Sequence, residues 1–146
     1  MPDSRIEALD HTGDVGFVLR APSLEALFEL ACRALLAELL TDPPAAGAGT
    51  LRLTLNAPDR ERLLLRWLDE LLYLVQTRAL VPTACRLTLR PPNEERDDWQ
   101  LRARLRTAPL DPERQGWRGE LKGATYHALR LAPTGGGWHA RVVLDA

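Results

Sequence analysis

One position in this 146-residue chain keeps an ammonium where every other basic residue carries a guanidinium. Of nineteen basic residues only Lys122 is a lysine, set within Gly119-Glu120-Leu121-Lys122-Gly123-Ala124-Thr125-Tyr126-His127. An arginine-rich composition can leave a lone lysine by chance. A compact point charge with three rotatable donors and a movable pKa is nonetheless a different tool from a planar, always-protonated guanidinium. Two acidic clusters could work with it. Asp10-His11-Thr12-Gly13-Asp14 gathers oxygen and nitrogen ligands ahead of a β-rich run. Such a stretch serves either as a turn whose Asp or Thr bonds local amides, or as a site that Asp14 faces while Val15 and Phe17 point to the core. At the other end, Val142-Val143-Leu144-Asp145-Ala146 sets Asp145 beside the terminal carboxylate of Ala146. Chain ends fray unless something ties them down, so a tether is expected here. Converging carboxylates favour a hard cation such as Ca²⁺ or Mg²⁺, which neutralises their repulsion through oxygen ligands. Zinc is disfavoured, because no Cys or paired His converges with them.

These residues need elements to position them. Val15 to Leu19 reads as a strand. Ser23 stands as N-cap of a helix whose Leu24, Leu27, Phe28, Ala31, Leu35 and Leu39 recur at helical spacing, ending near Leu40 before Asp42-Pro43-Pro44. Leu51, Leu53 and Leu55 alternate with polar residues, as in a half-buried strand. Asp59 caps a second helix running to about Thr77, with Leu64, Trp67, Leu68, Leu71, Leu72 and Val75 as a broad apolar face. The period then changes to two. Cys85-Leu87-Leu89 and Trp99-Leu101-Ala103-Leu105 read as a hairpin, 109–117 as a loop, and 121–131 and 139–144 as further strands. On a strand over 121–131, Glu120 and Lys122 share one face, and Thr125 and His127 lie on the other. The expected architecture is α+β: a single-domain sandwich over 1–146, with two helices packed on one face of a largely antiparallel sheet.

Composition narrows the function. Hydrophobic residues at 45% and charged residues at 27% are those of a globular domain rather than a disordered chain. With net charge −1 and the arginines spread along the chain, no sequence-independent grip on a phosphate backbone is expected. No apolar run is long enough to span a membrane, and the first residues lack the pattern of a signal peptide, so a cytoplasmic location is expected. Cys32 and Cys85 have no CxxC spacing and read as buried free thiols, without a redox or zinc role. No glycine-rich loop enters a helix, which argues against a dinucleotide or P-loop site.

Taken in order, five segments of this chain resemble the archease family, small proteins that assist RtcB-type RNA ligases. His11-Thr12-Gly13-Asp14-Val15 resembles the family's His-Thr-Ala-Asp-Val/Ile. Ser23-Leu24-Glu25-Ala26-Leu27-Phe28 and Leu63-Leu64-Leu65-Arg66-Trp67-Leu68-Asp69-Glu70-Leu71-Leu72-Tyr73 resemble its two helices. Glu120 to His127 resembles Glu-Ile/Val-Lys-Ala-x-Thr-Tyr-His, and Leu144-Asp145-Ala146 resembles its ending. Gly13 and Gly123 stand where the family has Ala, and the last residue is Ala146 rather than a larger Ile. The resemblance implies that Asp14, Asp145 and the Ala146 carboxylate bind a divalent metal, Ca²⁺ foremost, with Mg²⁺ or Mn²⁺ as alternatives. It implies no catalytic residues of the chain's own. The protein would instead activate an RtcB-type ligase, in tRNA splicing or RNA repair, by promoting its guanylylation and multiple turnover. Lys122 and His11 would be its contacts to phosphate or ligase, and RNA would be met only through the ligase. Two other functions fit the same residues. Glu120-Leu121-Lys122 with nearby aspartates is similar to metal-dependent nucleases, which would make Asp14, Glu120, Lys122 and Asp145 a phosphodiesterase site. Alternatively, the charged tip is incidental to a chaperone-like scaffold.

Overall fold

The computed structural model describes residues 4–8 and 15–145. Along the chain it comprises β1 (Arg5–Ala8), β2 (Val15–Ala21), α1 (Leu24–Leu39), β3 (Gly49–Ala57), α2 (Arg60–Gln76), β4 (Leu80–Arg90), β5 (Trp99–Pro109), α3 (Pro112–Gln115), β6 (Gly123–Ala124), a 3₁₀ turn at Tyr126–Ala128, β7 (Arg130–Thr134) and β8 (Gly137–Asp145). The fold is α+β, and every strand pairing is antiparallel. The strands divide into two sheets where one was expected. The first runs β1-β2-β8-β6 with β7 also on β8, and the second runs β3-β5-β4. The division follows from pairing partners. Strand β2 takes the last strand, β8, as its neighbour, and β3 takes β5. Alternation along a strand says which face is buried, but it does not choose a partner.

The helices begin where their caps dictate. The Ser23 hydroxyl accepts from the Ala26 N–H at 3.1 Å, and Asp59 Oδ1 accepts from the Arg62 N–H at 2.8 Å. Each cap satisfies one of the orphan donors of a first turn, an interaction worth about 1 kcal/mol. Both helices pack on strands of both sheets: α1 on β2, β8 and β4, and α2 on β3, β4, β5 and β6. They meet each other through Trp67, which is fully buried and donates its indole N–H to the Phe28 carbonyl at 2.8 Å. Phe17, Leu19, Ala140, Val142 and Leu144 of the first sheet and Leu101 and Leu105 of the second close on the same apolar cluster.

Three expectations are corrected, and one strand is added. The segment 109–117 contains α3, capped by Asp111 and stopped by Gly116 in the left-handed region at φ 68°. Residues 121–131 are not a strand: only Gly123–Ala124 and the start of β7 are extended and paired, with the 3₁₀ turn between them. Strand β1 was not foreseen, because Arg5-Ile6-Glu7-Ala8 is too short and polar to show a period. Cys32 is buried as expected, but Cys85 is only partly so, and both are free thiols. Burial pushes the Cys85 thiol up to about 12, with Glu29 adding to the shift, which leaves it a poor nucleophile at neutral pH. Among the described residues no helix is long and apolar enough to cross a membrane.

Candidate functional site at the end of the last strand

Strand β8 ends between two partners. On one side β2 pairs with it as far as Val15 opposite Leu144, and on the other β6 sets Gly123 opposite Asp145 and Ala124 opposite Leu144. The backbone of this end is fully engaged. The Lys122 N–H donates to the Asp145 carbonyl at 2.7 Å, and the Thr125 N–H donates to the Val143 carbonyl at 2.9 Å. The Thr125 hydroxyl donates to Asp145 Oδ1 at 3.2 Å. The tether expected at this terminus is therefore the lysine segment itself. Its lysine and its threonine both bond Asp145, and both Lys122 and Asp145 stay exposed to solvent.

The segment is shaped by α2 rather than by a sheet ladder. Gln76 Nε2 donates to the Leu121 carbonyl at 2.9 Å, and the Leu121 N–H donates to Gln76 Oε1 at 2.7 Å. One side-chain amide thus takes the place of a neighbouring strand. Gly119 at φ 117° and Gly123 at φ 153° hold backbone conformations that side chains rarely adopt. Between these two breaks Glu120 and Lys122 do not share a regular strand face, so that expectation fails. At Gly123 a close approach adds to the backbone requirement: Asp69 Oδ1 of α2 lies 3.0 Å from where a Cβ would stand. Burial against this backbone raises the Asp69 pKa, opposed by a hydrogen bond from the Ala124 N–H and by the charge of Arg66. Further along, the Arg62 guanidinium lies 5.2 Å from the Tyr126 ring centroid. Arg62, Asp69 and Gln76 are spaced by seven, two helical turns, so they form one stripe along α2. That stripe meets 126, 123 and 121 in turn. Seven-residue spacing of polar residues was visible in the sequence, but its significance needed the partner segment.

The structure brings Lys122, Thr125 and Asp145 together. It sets His127 apart on the 3₁₀ turn, exposed and edge-on to Tyr126, and His139 at the far end of β8, opposite Arg20. His11, Asp14 and Ala146 lie outside the described residues, and Glu120 is exposed just before Leu121. Among the described residues no three His, Cys, Asp or Glu side chains cluster as a metal site would require. The donors that Asp145 and Thr125 offer are oxygens, the chemistry of a hard cation.

The sequence matches the Archease protein family (MTH1598/TM1083) over residues 7–146. The chain is 32% identical over 141 residues to the archease of Methanosarcina mazei, spanning 97% of this chain and 95% of that one. To the archease of Methanosarcina barkeri it is 32% identical, over 95% and 94% of the two chains. The solution structure of Methanobacterium thermoautotrophicum protein 1598 superposes with a TM-score of 0.75 at 28% identity, covering 97% of this chain and 98% of that one. The crystal structure of a Thermotoga maritima protein described as an archease and possible chaperone gives a TM-score of 0.61 over 100% of both chains. At 17% identity that likeness speaks for the fold alone.

Proposed function

This chain belongs to the archease family, and on that premise we propose that it is a non-enzymatic activator of an RtcB-type RNA ligase. The observation that supports this reading best is the 2.7 Å bond from the Lys122 N–H to the Asp145 carbonyl. This main-chain bond sets the residue that carries the only lysine ammonium beside a residue with an exposed carboxylate, on a backbone held by β2, β6 and α2. Two solvent-facing side chains of opposite charge on a hydrogen-bonded backbone suit a tip that enters another protein's active site, because little backbone freedom is lost on docking. The same tip is a weak design for a hydrolase, since among the described residues His127 sits on the 3₁₀ turn against Tyr126 and His139 lies at the far end of β8.

In this reading Asp145, with Asp14 and the Ala146 carboxylate, holds a divalent cation, Ca²⁺ before Mg²⁺ or Mn²⁺. Val15, the residue after Asp14 in sequence, pairs with Leu144, the residue before Asp145. The bound ion would concentrate positive charge where a nucleotide phosphate approaches. The residues' own work is to orient: Thr125 fixes the Asp145 carboxylate, and Lys122, with His11, contacts phosphate or the ligase. The protein would promote guanylylation of the ligase and its repeated turnover, in tRNA splicing or RNA repair.

Single-turnover guanylylation of a matched ligase, with and without this protein, tests the proposal. Acceleration at saturating protein is expected, and its absence sinks the reading. Deleting Ala146 should weaken Ca²⁺ binding measured by calorimetry. RNA incubated with the protein and Mn²⁺ alone should stay intact. Cleavage there would favour the phosphodiesterase reading instead.

A further inference from the structure

The arginines are not dispersed once the chain is folded. Strands β3, β4 and β5 contain no Asp or Glu. Their alternation sends Leu55, Leu87, Leu101 and Leu105 to the core and Arg52, Arg86, Arg90, Arg102, Arg104 and Arg106 to the opposite, exposed face. Register makes this a grid. Arg104 lies directly opposite Arg52 on one side and Arg86 on the other. Arg102 and Arg106 flank Arg104 along β5, two residues to either side and on the same face. None of these six guanidiniums makes a salt bridge with a carboxylate among the described residues. Glu29 of α1 borders the same hollow as Arg52, Arg86, Arg102 and Arg104 without a salt bridge to any of them.

Like charges directly opposite one another destabilise a sheet by a few tenths of a kcal/mol or more per pair. A chain of net charge −1 has concentrated six cations on one open face against that cost. We propose that the exposed face of the β3-β5-β4 sheet is a docking surface for the phosphate backbone of a single RNA strand. Residues two apart on β5 stand about 6.8 Å from each other, comparable to the separation of successive phosphates along an extended strand. Guanidinium forks match phosphate oxygens. Thr54 and Thr88, which flank Arg102 on the same face, and Asn56 and Gln100 beside them offer hydroxyl and amide partners for the 2′-hydroxyl. The strands carry no exposed aromatic platform at the centre of this grid, so binding is to backbone and indifferent to sequence. Direct contact with RNA goes beyond the expectation that RNA is met only through a ligase, and it stands apart from the activator reading because its test needs no ligase.

The test is fluorescence anisotropy of a labelled mixed-sequence 20-nucleotide RNA titrated with the full chain at several salt concentrations. Binding should weaken steeply with salt. The slope of log K against log[salt] should be near −3, about −0.7 for each of four to five phosphates neutralised. Arg86→Gln/Arg102→Gln/Arg104→Gln should weaken binding at least tenfold and flatten the slope by about 2. Arg86→Lys/Arg102→Lys/Arg104→Lys should keep most of the slope, and thermal melts should show both triple variants folded. Three results would overturn the proposal: no binding at low salt, binding unaltered in the folded Gln variant, or poly-glutamate bound as tightly as the RNA. A DNA strand of the same sequence bound as tightly as the RNA would overturn the assignment to RNA.

Discussion

The side-chain amide of Gln76 holds the backbone of Leu121 by two hydrogen bonds, of 2.9 Å from Nε2 to the carbonyl and 2.7 Å from the N–H to Oε1. Leu121 is buried, so both groups would otherwise be hidden from water without partners. The pair ties the last turn of α2 to the residue next to Lys122, across 45 positions of sequence. The geometry of the charged tip therefore depends on a helix that contributes nothing to it chemically.

Replacing Gln76 with Ala should lower stability by about 2 kcal/mol, the cost of stranding buried backbone groups. Urea denaturation measures that loss. Hydrogen exchange at the Leu121 amide should accelerate well beyond the global change. Unaltered protection at Leu121 would show that the bond does not hold the segment in solution.

Asp69 gives a pH dependence whose sign follows from its raised pKa, caused first by burial. Below the ordinary carboxylate value of 3.8 the group is protonated in folded and unfolded chains alike and contributes nothing. Above that value the unfolded chain ionises first, so Asp69 costs stability as the pH rises through its folded pKa, and the cost persists at neutrality. Asp69→Asn retains an oxygen to accept from the Ala124 N–H and removes the charge. It should be more stable than the parent at pH 7, and this advantage should shrink as the pH falls toward 4. Paired urea midpoints across that range check it, and an advantage independent of pH would refute the assignment.

Gly123 stands where the family resemblance has an alanine, and the structure shows what an alanine would meet here. Its Cβ would sit 3.0 Å from Asp69 Oδ1 on a backbone at φ 153°. Gly123→Ala should cost roughly 1 kcal/mol or more in this chain. Gly123→Ala combined with Asp69→Ala should recover the steric part of that loss. A thermal denaturation cycle over the four proteins measures the coupling, and additive effects would argue against the contact.

Lys122 and Asp145 separate charge from shape. Both are exposed, so substitutions at either should change stability by less than about 1 kcal/mol. Under the activator reading, Asp145→Ala should abolish acceleration of ligase guanylylation. Lys122→Arg should abolish it too, because a planar fork does not replace a compact ammonium. Full activation by Lys122→Arg would reduce the role of the lysine to its charge.

Much of the scaffold was legible from local chemistry. Ser23 and Asp59 are caps whose side chains reach amides three residues on, a relation that no distant contact alters, and α1 and α2 begin where those caps require. Period-two alternation over 51–55, 85–89 and 99–105 marked strands because it reflects burial of one face. Residue type and order along the chain also singled out Lys122 and Asp145, whose backbones the fold bonds to each other.

What tertiary structure alone decided was pairing. Strand partners, and with them the division into two sheets, depend on which distant segment supplies the missing hydrogen bonds, and alternation is blind to that choice. Residues 121–131 carry enough β-formers to read as a strand, yet Gln76 takes up the backbone of Leu121 and two glycines break the extension. Asp69 became a neighbour of the charged tip only because α2 lies along β6. The arginines, scattered from 52 to 106 in sequence, became one surface because antiparallel register sets opposite residues on the same face. Local sequence determines which groups a segment must satisfy or bury; only the closed fold determines which groups satisfy them.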